Sequence, residues 1–373
     1  MNRLESDSSS WTKYSNVLKT IGRCSVGAVL LAGLAPFAAI AKDYSSINIF
    51  GDSLVDGGNF FNISSELIGI GLPPTPPYAQ QFSNGDVWSE QLAQSLDLAP
   101  AQSSVVLPSI LSGTAPVPSE GINFAIGGSL SDDTNGIPGF AGLRSQIATF
   151  STLSTVAPPA PATLNVIQAG GNDYNNAIIN PDQSPATLAT LPEQVTNNLV
   201  EAIAGLIDAG AADILVANLP NLGNQPYAQA LNSFNPLSSA GLSALSTQHN
   251  LLLANKLTAL EATSGANIIQ LDVGSLIDGA IGSPDEFGFT NVTDSCLSDF
   301  VSITEFGAPC SNPDEFLFWD DVHPTAQTHS LIAQLAVDTL GKGEPQSVPE
   351  PVSTAAILLV GNGLLLRQKQ RIG

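Results

Sequence analysis

A serine stands where a short apolar run stops. Residues 46–50 read Ser-Ile-Asn-Ile-Phe and lead into Gly51-Asp52-Ser53-Leu54. A glycine before a serine at the end of a parallel strand can set a hydroxyl at the mouth of a sheet, a common place for a nucleophile in α/β enzymes. A hydroxyl attacks a carbonyl well only when a base takes its proton, and imidazole can do so near neutral pH. The chain has three histidines, His249, His323 and His329. His323 follows two carboxylates in Phe318-Trp319-Asp320-Asp321-Val322-His323-Pro324-Thr325. An aspartate just before the histidine, in a loop that precedes a helix, can face the ring and hold its tautomer. Asp320 and Asp321 both remain candidates on spacing alone. His249 falls in a helical pattern and reads as a surface or packing residue, while His329 is the rival base.

The elements around these residues alternate. Four short apolar runs read as buried strands, Ile47–Phe50, Leu164–Ala169, Ile214–Ala217 and Ile268–Leu271, each followed by Gly, Asn, Asp or Pro. Between them lie helical patterns. Val87–Leu98 follows Asn84-Gly85-Asp86, a candidate cap, and Pro192–Ala209 stops at Gly210. Leu242–Thr263 ends before Gly265, and a last helix is expected to open at Pro324 and run to about Leu340. Strand-helix alternation predicts an α/β fold, a mainly parallel sheet covered on both faces, with ligands beyond the C-terminal strand ends. Residues 99–118 read as a surface excursion. Residues 274–314 read as a long loop near the active face, pinned by a disulfide.

Both ends of the chain carry sorting signatures. Arg3, Lys13, Lys19 and Arg23 precede an apolar stretch from Val26 to Ala41 that closes on Ala39-Ile40-Ala41. This reads as a signal peptide over 1–41, being shorter than the ~20 residues a spanning helix needs. At the other end Val348-Pro349-Glu350-Pro351 precedes an apolar run from Val352 to Leu366 and the basic residues Arg367, Lys369 and Arg371. The tail, residues 344–373, resembles the PEP-CTERM sorting signal of Gram-negative bacteria that make exopolysaccharide. The body expected between the two signals is 42–343, and the location expected is outside the cell or on its surface.

Four basic residues then remain, Lys42, Arg144, Lys256 and Lys342. Of the 33 acidic residues only Glu5 and Asp7 are lost, leaving 31 and a balance near −27. Such a surface repels nucleic acid and anionic membranes. Cys24 leaves with the signal peptide, so Cys296 and Cys310 form an even pair in an oxidising compartment and are expected to be bridged. Asp132-Asp133 and Asp285-Glu286 read as solvated acid, and no Asp-x-Asp-x-Asp-Gly loop, Gly-Lys phosphate motif or dinucleotide fingerprint is present. No metal and no cofactor are expected.

Four segments line up in order: Gly51-Asp52-Ser53-Leu54 with Gly57-Gly58-Asn59, Asn123-Phe124-Ala125-Ile126-Gly127-Gly128-Ser129, Gly170-Gly171-Asn172-Asp173, and the Asp320–His323 segment. Together they resemble the GDSL (SGNH) family of esterases and lipases, over roughly residues 46–342. Pro76-Pro77-Tyr78, Phe82-Ser83-Asn84-Gly85 and Asn218-Leu219-Pro220-Asn221-Leu222-Gly223 add to the likeness. The resemblance implies a three-layer α/β/α sandwich, a serine ester hydrolase and an Asp-x-x-His pattern that selects Asp320 over Asp321. It implies oxyanion donors at the Ser53 N–H, the Gly127-Gly128 pair with Gly128 preferred, and the Asn172 amide, while Asp52, Asp56 and Asp173 shape loops. The expected partners are a small-molecule, lipid or acylated-glycan ester, signal peptidase and an exosortase, with membrane contact only through the two ends. The alternatives are an exopolysaccharide O-acetyl esterase and a non-catalytic matrix or carbohydrate-binding protein.

Overall fold

The apolar runs form the centre of a six-stranded sheet. The computed structural model describes residues 43–180, 184–236, 238–297, 300–302 and 305–341, so the expected signal peptide and sorting tail lie outside the described residues. The strands are β1 (Ser46–Gly51), β2 (Ala101–Gln102), β3 (Ile122–Asn123), β4 (Thr163–Gln168), β5 (Asp213–Ala217) and β6 (Asn267–Leu271). They pair in parallel in the order β2-β3-β1-β4-β5-β6. The order reverses direction at β1, which lies between β3 and β4. Such a switch point opens a crevice beyond the carboxyl ends of the strands. Ser53 lies two residues past the end of β1, at that crevice.

The connections are helical: α1 (Asn59–Ile68), α2 (Trp88–Ser95), α3 (Ser103–Leu111), α4 (Leu143–Ser154), α5 (Gly171–Ile179), α6 (Pro185–Asp208), α7 (Pro226–Leu231), α8 (Ser238–Ser264), α9 (Val273–Gly282), α10 (Pro284–Phe287) and α11 (Ala326–Gly341). Alternation along each strand sends side chains to two cores. Phe50 and Ile167 meet Phe150, Val195, Leu206 and Leu242 from α4, α6 and α8. Ile47, Ile49 and Val166 meet Trp88, Leu92, Ile277 and Ile332 from α2, α9 and α11. Each large side chain buried there contributes ~1.5–3 kcal/mol. The result is the expected α/β fold, a mainly parallel sheet with helices on both faces.

Several element boundaries differ from the sequence reading. α6 opens at Pro185, with Ser184 Oγ accepting the Thr187 N–H, and Pro192 lies inside it. Burial of Val195, Leu199, Ile203 and Leu206 against the sheet outweighs the ~3 kcal/mol cost of an internal proline. Pro324 does not open the last helix. It bridges Phe318, and α11 begins at Ala326 after Thr325 Oγ1 accepts the Thr328 N–H. Asn84 does not cap α2 either, because its side-chain oxygen accepts the Ala326 N–H at the start of α11. The stretch 99–118 carries β2 and α3.

The stretch 274–314 is more structured than the expected loop. It holds most of α9, α10, β7 (Asn291–Ser295), β8 (Phe300–Ser302) and β9 (Glu305–Phe306). β7 pairs with β10 (Phe316–Phe318), which leads directly to Asp320. Cys296 and Cys310 are joined by a disulfide.

Candidate active site

Ser53 is placed by an unusual turn at the end of β1. Gly51 has φ +145°, and a Cβ there would fall 1.9 Å from the Gln168 carbonyl oxygen, so only glycine fits. Gln146 of α4 clamps the same residue. Its Oε1 accepts the Gly51 N–H at 2.9 Å, and its Nε2 donates to the Gly51 carbonyl at 2.8 Å. The chain then turns through Asp52, whose Oδ1 accepts the Leu54 N–H and whose carbonyl accepts the Val55 N–H.

Ser53, His323 and Asp320 meet there from opposite ends of the chain. His323 Nε2 lies 2.9 Å from Ser53 Oγ, and His323 Nδ1 lies 2.8 Å from Asp320 Oδ2. The carboxylate calls for the proton on Nδ1, which leaves Nε2 as acceptor toward the serine. Asp320 also accepts the Val322 and His323 backbone N–H groups on Oδ1. The Trp319 N–H to His323 carbonyl bond closes this loop. Phe82 lies against the imidazole with ring centroids 5.0 Å apart. Burial works to raise the Asp320 pKa. The His323 charge, the His323 hydrogen bonds and the Tyr78 hydroxyl outweigh it and hold the carboxyl below its ordinary value. Asp321 is exposed and accepts from Ser295 Oγ.

The other two histidines lie elsewhere. His249, read as a surface or packing residue, is fully buried, with Nδ1 2.8 Å from the Tyr174 hydroxyl. His329 is fully buried too, and its Nδ1 accepts the Trp88 N–H, so it is not beside Ser53. Burial pushes both down to about 3.

The expected oxyanion donors sort unequally. The Gly127 N–H is committed to Asp56 Oδ2 at 2.8 Å and is not available, which corrects the inclusion of Gly127. The N–H groups of Gly128 and Ser53 meet no acceptor among the described residues. Ile126 N–H to Gly51 carbonyl ties the Gly127-Gly128 turn to the end of β1. Asn172, in the first turn of α5, spends one amide hydrogen on the Ser129 carbonyl at 3.0 Å and has a second to offer. Such donors can hold the negative oxygen of a tetrahedral intermediate.

Buried Asp52 and Asp56 and half-buried Asp173 brace these loops. Asp56 accepts the Gly58, Asn59 and Phe60 N–H groups at the head of α1 as well as that of Gly127. Asp173 accepts from the Ser131 N–H and hydroxyl. Burial raises Asp52 to about 7, and Asp56 and Asp173 to about 6. Among the described residues no cluster of three or more His, Cys, Asp or Glu is placed to hold a metal ion, and no helix is long and apolar enough to cross a membrane.

Sequence reasoning missed Tyr78, whose hydroxyl donates to Asp320 Oδ2 at 2.7 Å. Pro76-Pro77-Tyr78 and Phe82-Ser83-Asn84-Gly85 stood out as motifs but carried no role. Gln146 had no local signal at all.

The chain is similar to several known proteins. A family model described as GDSL-like Lipase/Acylhydrolase matches residues 47–336. A thermolabile hemolysin of Vibrio parahaemolyticus is 27% identical over 318 residues, covering 81% of this chain and 65% of its own length. The chain thus spans less than two thirds of that relative's length. A GDSL esterase/lipase of Arabidopsis thaliana is 26% identical over 329 residues, covering 82% of this chain and 90% of its own. A crystal structure of a lipolytic G-D-S-L family member from Veillonella parvula aligns over 79% of this chain and 96% of its own, at 14% identity and a TM-score of 0.38.

Proposed function

The chain belongs to the GDSL-like Lipase/Acylhydrolase family, and on that premise we propose that it is an exported carboxylic ester hydrolase working through an acyl-enzyme on Ser53. The observation that carries this reading is the relay from Ser53 Oγ through His323 to Asp320, at 2.9 and 2.8 Å. His323 Nε2 takes the hydroxyl proton as Ser53 Oγ bonds to the ester carbonyl carbon. Asp320 stabilises the imidazolium that forms. The carbonyl oxygen, now negative, is held by the Ser53 and Gly128 N–H groups and the spare Asn172 hydrogen. The imidazolium then gives its proton to the leaving alkoxide, and the alcohol departs. Water repeats the sequence on the acyl-serine, with His323 as its base, and frees the acid.

Export is supported by the Cys296–Cys310 bridge, which suits an oxidising compartment, and by an acidic surface. Replacing Ser53 by alanine tests the mechanism. Turnover of p-nitrophenyl acetate and butyrate is expected to fall at least ~10⁴-fold, with an unchanged circular-dichroism spectrum. Undiminished turnover by a folded variant would overturn the proposal.

A further inference from the structure

His249 is a buried imidazole that the relay at Ser53 does not use. It sits fully enclosed in the middle of α8. The hydroxyl of Tyr174, itself fully buried, lies 2.8 Å from its Nδ1, and the two rings meet edge to face with centroids 5.6 Å apart. Burial keeps this imidazole neutral, so it carries a single N–H. The described residues offer the Tyr174 hydroxyl no other hydrogen-bond partner, so the phenol gives its proton to Nδ1 and the ring proton sits on Nε2. Nε2 is buried and has no partner among the described residues. The surroundings are otherwise apolar, with Val195 and Leu199 of α6 close by. A leucine would fill such a place without stranding an N–H. Packing alone therefore does not account for a histidine here. A buried polar pair fixes one arrangement where apolar contact tolerates several.

What the pair fixes is the start of α5. This helix has no side-chain cap, and its N-cap residue is Gly170, in a left-handed turn at φ +113°. A Cβ on Gly170 would fall 3.3 Å from His249 Cε1, so the imidazole closes over the turn that leads into Asn172. Tyr174 follows Asn172 by two residues. His249 thus meets the chain on both sides of Asn172, through ring contact at Gly170 and through the hydroxyl of Tyr174. Asn172 gives one amide hydrogen to the Ser129 carbonyl, and the aim of its second depends on where the first turn of α5 is held.

We propose that Tyr174 and His249 are positioning residues for the reaction at Ser53, acting through Asn172 by anchoring the first turn of α5. The proposal rests on the hydrolase reading above, with Asn172 as an oxyanion donor. A misplacement of about 1 Å at such a group can cost up to about 100-fold in rate. The loss falls on the transition state, because the donor meets negative charge that the bound ester does not yet carry. Substitution of the pair should therefore lower kcat and leave KM nearly unchanged.

The test is a double-mutant cycle on the whole protein, read as kcat and KM with p-nitrophenyl acetate beside the melting temperature. Asn172→Ala is expected to lower kcat about 100-fold, as for loss of an oxyanion donor. Tyr174→Phe should lower kcat about tenfold in the parent, with KM within about twofold. In the Asn172→Ala background the same change should cost less than about twofold. Tyr174→Phe/His249→Leu removes both polar partners together, so it should melt near the parent and still lose about tenfold in kcat. That variant decides if Tyr174→Phe alone does not fold. Equal losses with and without Asn172, or parental kcat in a folded Tyr174 variant or in Asn172→Ala, would overturn the proposal while the hydrolase reading stands. Parental turnover by folded Ser53→Ala, measured alongside, would instead overturn that reading and the proposal with it.

Discussion

The hydrogen-bonded path from Ser53 does not stop at Asp320; it runs on to the Tyr78 hydroxyl, the second neighbour of the same carboxylate. Tyr78 is therefore a positioning residue for the relay. Replacing it by phenylalanine is expected to lower kcat about tenfold, as for loss of one hydrogen bond to a charged group, with little change in KM. An unchanged kcat would remove Tyr78 from the site. Gly51 makes the sharper claim about backbone. Gly51→Ala puts a methyl on top of the Gln168 carbonyl at a φ that alanine resists, which should cost about 3 kcal/mol or more. Displacement of Ser53 should also lower kcat/KM about 100-fold. A melting temperature and kcat/KM like those of the parent would contradict that reading. That Ser53, His323 and Asp320 lie together could be expected from the chain, because a serine after a strand and a histidine after two aspartates are local patterns and the family resemblance favours Asp320 over Asp321. The places of Tyr78 and Gln146 could not, because their partners lie 242 and 95 residues away in the chain, and no spacing rule spans such distances.

At the scale of elements, the site is assembled where strands hand over to helices. β1 delivers Ser53, the turn after β3 delivers Gly128, and the first turn of α5 delivers Asn172. β10 delivers Asp320 and His323. The central strands were readable since they are apolar runs bounded by turn residues. β2 and β3 were not, each being two residues long with no period to detect. The start of α11 was misread because proline ordinarily opens helices, whereas Pro324 here serves a bridge to Phe318 that shapes the His323 loop. The Cys296–Cys310 bridge steadies this region. The Cys296 N–H donates to the Phe318 carbonyl, and the Leu297 N–H to the Trp319 carbonyl. Replacing both cysteines by serine opens a loop of 14-residue separation, expected to cost ~3 kcal/mol. Thermal unfolding under oxidising conditions should show a drop of several degrees, and an unchanged midpoint would contradict the role given to the bridge.

Over the whole molecule, buried acid sets how stability responds to pH. Asp52, Asp56 and Asp173 have pKa values raised by burial to about 7, 6 and 6 from 3.8. The folded protein therefore binds more protons than the unfolded chain between about pH 4 and 7, and these groups lose their stabilising contribution as pH rises through that window. Asp320, held low, acts in the opposite sense, and its contribution is lost only as pH falls below the ordinary carboxylate range. The excess of 33 acidic over 11 basic residues adds self-repulsion with the same sign as these three aspartates. The melting temperature should fall from pH 5 to pH 8, and Asp52→Asn, which can still accept the Leu54 N–H, should flatten that fall. A melting temperature that stays level or rises over the range would contradict this account.

The central claim is that Ser53 is the nucleophile and His323 its base. Treatment with a fluorophosphonate probe, followed by intact-mass measurement and peptide mapping, tests it most directly. The account predicts one adduct per chain, on Ser53, with no adduct in Ser53→Ala and labelling slowed at least 100-fold in His323→Ala. A stoichiometric adduct on another residue, or labelling of His323→Ala at the parent rate, would contradict it.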